Sequence, residues 1–302
     1  MKKPPDGFLT SRRLTAEKVL VTSAARVVLL VALTTLAGCD VLKSPTTPPL
    51  PNGAVRYSAV GASDAIGYGG SIACLPFSAC PDGTGYVQIV TRRLKAAHAD
   101  FDSSNLGIPG AVISRRLMDL GNSLNRDIYG NFIESQMPFV PRESTLVTVF
   151  AGGNDVNTLG AAIRAGRDNG DPNAYIETQV ATFGTEFRDL ITGIRARATT
   201  SKVILLNLPN MARLPYASGL NSTEREYLRR LSVGVSAAIN ATRSADVLVI
   251  DLMCHAPAYQ TGNYSPDGFH PNDAGYLMLA DLVSAAIANT PAAPASTCGF
   301  MQ

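Results

Sequence analysis

The stretch TLVTVFAGG, Thr145–Gly153, joins β-branched and apolar residues to a pair of glycines. A run that is apolar at successive positions, not at alternating ones, suits a strand buried on both faces. The glycines end it in a turn. Four other segments share this character: AVRYSAV from Ala54, the weaker FDSSN from Phe101, KVILLNLP from Lys202 and VLVIDL from Val247. Between them lie segments with apolar residues at helical spacing: YVQIVTRRLKAAH from Tyr86, AVISRRLMDL from Ala111, residues 173–199, 222–243 and about 274–288. The last of these has Asn272 or Asp273 as its cap. Strands alternating with helices predict a five-stranded, mostly parallel sheet covered on both faces, a three-layer αβα sandwich. Length favours a single α/β domain over 54–302, its regular elements ending near 290. No internal repeat is evident.

The 302 residues are 46% hydrophobic and 17% charged, with a formal net charge of +2. That charge is uneven. Residues 1–38 carry six basic and two acidic side chains, so the remainder is slightly acidic and has no electrostatic footprint for nucleic acid. The apolar run VVLLVALTTLAGC after Arg26 is too short to cross a bilayer, which needs about 20 residues, and reads as an export signal. Its end, Leu36-Ala37-Gly38-Cys39, resembles a bacterial lipobox. That resemblance implies cleavage after residue 38, diacylglyceryl modification of Cys39, and a protein held at a membrane on the periplasmic or cell-surface side. Residues 39–53 hold four prolines within seven positions (Pro45, Pro48, Pro49, Pro51), the composition of an extended, semi-rigid tether. The remaining cysteines, Cys74, Cys80, Cys254 and Cys298, suit two disulfides in an exported chain. Of the three possible pairings, Cys74–Cys80 with Cys254–Cys298 is favoured, which the chain-entropy model values at roughly 2 and 4 kcal/mol. A zinc site is the weaker reading, because no CxxC pair is present.

In parallel α/β sheets ligands bind beyond the C-terminal ends of the strands. Four blocks fall there or in the final connection: Gly61-Ala62-Ser63-Asp64, Asn105-Leu106-Gly107-Ile108-Pro109-Gly110, Gly152-Gly153-Asn154-Asp155, and Asp267-Gly268-Phe269-His270 before Pro271. Each alone has a structural reading as a turn. Together they supply what acyl transfer requires. A serine needs a base to take its proton, and the histidine needs an acceptor on its far nitrogen. Developing negative charge on the carbonyl oxygen needs donors fixed beforehand. Ser63 can attack, His270 can accept the proton, and Asp267 lies three residues before that histidine. The donors are the N–H groups of Ser63 and Gly110 and the side-chain amide of Asn154.

These blocks, in this order, resemble the SGNH hydrolases, the GDSL-type esterases and lipases. The resemblance covers nearly the whole folded region through Ser63, the Asn105-x-Gly107-x-x-Gly110 block, Gly152-x-Asn154-Asp155 and Asp267-x-x-His270. It implies a serine esterase or lipase with catalytic Ser63, Asp267 and His270, an oxyanion hole of Ser63, Gly110 and Asn154, and no metal or organic cofactor. Ester substrates are its implied partners, small-molecule or lipid. The first block departs from Gly-Asp-Ser-Leu at two positions, Ala62 and Asp64, which puts the local turn geometry in question. Thioesterases, carbohydrate deacetylases and acyltransferases share the family, so a carbohydrate O-acetylesterase is one alternative. A non-catalytic surface lipoprotein, an adhesin or binding module on the same scaffold, is another. A flavodoxin-like nucleotide binder would leave Asn154 and His270 unexplained. GxSxG, HExxH and the Walker loop are absent. His255, beside Cys254, is a minor candidate for a site neighbour. The long connection 121–143, with Ile128, Tyr129, Phe132, Ile133, Met137 and Phe139, reads equally as an acyl-binding flap or as a packed element. With VNTLGAAI after Asp155, it leans toward an apolar acyl chain over acetate.

Overall fold

The computed structural model describes residues 53–302. The export signal (1–38), Cys39 and the tether through residue 52 lie outside the described residues. Five strands form one sheet: β1 (Ala54–Val60), β2 (Asp100–Asn105), β3 (Leu146–Phe150), β4 (Lys202–Leu206) and β5 (Val247–Ile250). Their order is β2-β1-β3-β4-β5, and every pairing is parallel. The helices are α1 (Tyr86–Ala97), α2 (Arg115–Ser123), α3 (Gly153–Arg164), α4 (Pro172–Arg197), α5 (Ser222–Asn240) and α6 (Asp273–Ala288).

Strand periodicity divides the core in two. Leu146, Ile204, Leu206, Leu248 and Ile250 point to the face covered by α1 and α6, where Tyr86, Val90, Tyr276, Leu279 and Val283 are buried. Val147, Val149, Val203, Leu205, Val247 and Val249 point the other way, toward Leu159, Phe183, Phe187, Leu190, Leu231 and Val235 of α3, α4 and α5. Both faces of β3, β4 and β5 are thus dry. At about 25 cal/mol per Å² of buried apolar surface, these two layers supply the main favourable term of folding. β2 is an edge strand and mostly wet, which explains its faint sequence signal. Asn221 and Glu224 close a capping box on α5, and Asn272 caps α6. Cys74 is bonded to Cys80 and Cys254 to Cys298.

Two local expectations change and one open reading is narrowed. The helix expected from Ala111 begins only at Arg115. Val112 and Ile113 are instead held extended: Val112 N–H donates to Gly130 O, Phe132 and Ile133 donate back to Val112 O and Ile113 O, and Ile113 N–H donates to Asp155. Tertiary hydrogen bonds override the local helical pattern there. Helix α3 starts directly after Gly152, where the sequence had suggested only a turn. Gly152 sits at φ +108°, and a Cβ there would stand 2.9 Å from Val235 Cγ1, so only glycine lets α3 leave β3 at this angle. Finally, the 121–143 connection is chiefly a packed element. Phe132 and Gln136 are fully buried and Met137 lies against Gly193, while Tyr129 and Phe139 stay exposed.

Candidate active site

The four blocks converge at the C-terminal edge of the sheet. Ser63 lies in the turn that follows β1, and His270 in the segment leading into α6, 207 residues later. Ser63 Oγ is 2.8 Å from His270 Nε2. On the other side of the ring, His270 Nδ1 is 2.6 Å from Asp267 Oδ2. The aspartate is fixed in turn, because its Oδ1 accepts from the N–H groups of Phe269 and His270 and from the Ser265 hydroxyl. Burial opposes its ionisation, but the bonds from His270, Phe269 and Ser265 outweigh it and pull the pKa down to about 2. Asp267 is therefore an anion at neutral pH, able to hold a proton on Nδ1 and leave Nε2 as an acceptor for the Ser63 hydroxyl.

The serine turn is built from distant parts of the chain. Gly61 N–H donates to Gln136 Oε1 at 3.0 Å, and Gln136 Nε2 returns a bond to Gly61 O at 2.9 Å. Gln136 thereby fixes where β1 ends. Gly69, at φ +93°, lets the chain pass against the histidine; a Cβ there would lie 2.8 Å from His270 Cβ. The Tyr68 ring then packs on the imidazole, centroids 4.6 Å apart, and Phe269 flanks it at 4.8 Å. Neither Gln136 nor Tyr68 carries a sequence signal, because their roles arise only from tertiary packing.

Of the expected donors, Ser63 and Asn154 line the pocket described below, while Gly110 stands just before its lining residue Ala111. Among the described residues, the N–H groups of Ser63 and Gly110 have no acceptor. Asn154 stands at the start of α3 and donates one Nδ2 hydrogen to Ala111 O at 3.1 Å, leaving its second without a partner among the described residues. Asn105 is structural: its Nδ2 donates to Ala65 O and its Oδ1 accepts from Gly107, tying the second block to the first. Asp155 is structural too. It is completely buried, its Oδ1 holds the Ile113 N–H, and burial pushes its pKa up to about 7. His255 does not line the pocket described next; it leads into a short 3₁₀ turn beside the Cys254–Cys298 bond.

Ser63, Asn154 and His270 line a pocket with a cavity volume of about 90 Å³. Its walls are largely apolar, formed by Phe132, Phe150, Leu208, Met211, Leu214 and Leu279. Only Phe132 comes from the 121–143 connection. The floor belongs instead to segments after β4 and β5 and to α6.

The GDSL-like lipase/acylhydrolase family model matches residues 59–278. That match supports ester hydrolysis in general terms. The chain belongs to the GDSL-like lipase/acylhydrolase family. Among solved structures, a lipase from a goat rumen metagenome is similar over 77% of this chain and 97% of its own, at 19% identity and a TM-score of 0.54, a likeness of fold. An extracellular lipase from Streptomyces rimosus (18% identity, 77% and 100% covered, TM-score 0.49) and phospholipase A1 from Streptomyces albidoflavus NA297 (18%, 77% and 99%, 0.49) also match. No match was found among curated proteins.

Proposed function

We propose that this protein is a serine esterase that cleaves carboxylic esters with an apolar acyl chain through an acyl-enzyme. The observation that carries the reading is the line Ser63 Oγ, His270 Nε2 at 2.8 Å, His270 Nδ1, Asp267 Oδ2 at 2.6 Å, on an apolar pocket. Ser63 Oγ attacks the ester carbonyl as His270 Nε2 takes its proton. Asp267 steadies the imidazolium that results. The negative charge on the carbonyl oxygen is met by the N–H groups of Ser63 and Gly110 and the free Nδ2 hydrogen of Asn154. Collapse expels the alcohol, protonated by His270, and water repeats the cycle on the acyl-serine.

The pocket walls support an alkyl-bearing acyl group over acetate. Each buried methylene contributes about 0.8 kcal/mol, close to fourfold, until the pocket is filled. Across a series of p-nitrophenyl esters, kcat/KM is expected to rise from acetate to a medium-length chain and then level or fall. A steady decline from acetate onward would contradict the apolar acyl site and favour an O-acetylesterase.

We also propose that the domain, residues 54–302, is held at a membrane by lipidated Cys39 through the proline-rich tether. Mass spectrometry of the mature protein is expected to find diacylglyceryl-cysteine at position 39. A mature N-terminus elsewhere would defeat the anchor and leave the chemistry untouched.

A further inference from the structure

Beneath the serine turn lies a layer of acid and phenol groups that the ester chemistry does not use. Asp64 follows Ser63 directly and lines the same pocket. The residue is half-buried, yet its Oδ2 has neither solvent nor a hydrogen-bond partner. The carboxyl folds back over its own turn. Oδ2 lies 3.6 Å from where a Cβ on Gly61 would stand, and the N–H groups of Asp64 and Ala62 approach the carboxyl. The N–H between those two belongs to Ser63, the proposed oxyanion donor.

The groups facing this carboxyl do not compensate a charge on it. From α1 comes Tyr86, fully buried, its hydroxyl directed toward Thr148. From α6 comes Tyr276, whose hydroxyl donates to Tyr68 O, linking this layer to the ring that packs on His270. Tyr57 of β1, next to Tyr86, shares a hydrogen bond with Thr148 of β3. The 265–273 segment presents Asp267 and His270, already paired with one another, and Asp273, engaged with Ser71. No lysine or arginine among the described residues adds a charge at Asp64.

We propose that Asp64 is a positioning residue whose protonation state sets the strength of the oxyanion site. Neutral, it braces the turn that presents Ser63. Charged, it puts an uncompensated anion behind the Ser63 N–H and opposes the negative charge that forms during acyl transfer. This rests on Ser63 being the nucleophile. Burial pushes Asp64 up to about 7, against the pull of the two backbone N–H groups, so the change falls near neutrality. Asp155 is raised to a similar value, but it faces Ile113 and does not line the pocket.

The sign follows. Asp64 ionises as pH rises through about 7, so kcat should fall on the alkaline side. For scale, at an effective dielectric of about 20 to 40 a unit charge at about 7 Å from a like charge lowers a rate roughly seven- to fiftyfold. Asp64→Asn keeps the shape and removes the ionisation, so its kcat is expected to hold level from pH 7 to 9, while Asp155→Asn retains the wild-type decline. A flat wild-type profile, a decline that persists in folded Asp64→Asn, or one abolished by Asp155→Asn would each overturn the proposal. None of these touches the nucleophile, which is tested by whether Ser63→Ala loses activity. Should Asp64→Asn fail to fold, carbon-13 NMR of aspartate-labelled Asp155→Asn protein decides. One carboxyl titrating near neutrality is expected; all carboxyls titrating in the acid range would overturn the proposal.

Discussion

Replacing Ser63 by alanine is expected to lower kcat for ester hydrolysis about a millionfold, and His270→Ala to do nearly the same. The double variant should be hardly worse than either single one, because the two side chains act as one unit. The fold should survive. Among the described residues the sole hydrogen-bond partner of Ser63 Oγ is His270 Nε2, and the turn is held by Gln136 on Gly61 and by Tyr68 N–H on Ser63 O, neither of which involves the hydroxyl. Melting temperature should therefore move by no more than a few degrees while the rate collapses. A residual acceleration over water of about 10³–10⁴ is expected from the oxyanion donors and the pocket alone. Substantial hydrolysis by purified, folded Ser63→Ala would remove the serine from the mechanism, and a binding module on the same scaffold would then become the better reading.

Asn154→Ala separates stabilisation of the transition state from binding of the ester. A donor aimed at the oxyanion strengthens as charge develops, so its loss lowers kcat more than it raises KM. Removing one such donor is worth roughly 10²–10³ in kcat, or about 3–4 kcal/mol. The bond to Ala111 O complicates a simple reading, since Asn154 also ties the second block to α3. Losing that bond alone costs about 1 kcal/mol of stability. A purely structural asparagine would thus give a lower melting temperature with near-normal kcat. The oxyanion role predicts a rate defect far beyond any change in KM or melting. Asn154→Asp should be at least as slow, because a carboxylate can accept from the protein but would face the developing oxyanion with like charge. Measuring kcat, KM and melting temperature on one preparation distinguishes the two.

What was legible in the chain follows from how each part is held. β3, β4 and β5 are buried on both faces, so their apolar runs are continuous and easily read. β2 pairs only with β1 and lies at the edge, so its DFDSSN carries little hydrophobic signal. The site blocks were legible because their chemistry demands particular residue types at strand ends. Helix α3 was missed because Gly152-Gly153-Asn154-Asp155 has the composition of a turn, and only Val235 packed against Gly152 reveals why the chain enters a helix there. The start of α2 was misread for the opposite reason. Ala111–Ser114 looks helical locally, but Asp155 and the 130–133 segment claim its backbone. At the departure from Gly-Asp-Ser-Leu, the Asp64 carboxyl folds back over its own turn toward Gly61 and Ala62. No periodicity could have disclosed the burial of that acid, nor the reach of Gln136 across 75 residues to Gly61.

The claim on which the account stands is that Ser63 is an activated nucleophile. Treating the purified protein with a fluorophosphonate probe and mapping the modified peptide by mass spectrometry tests it most directly. The expected result is one equivalent of phosphonate on Ser63, lost in Ser63→Ala and strongly slowed in His270→Ala. Failure of the folded wild-type protein to label, or labelling at a serine other than Ser63, would contradict it.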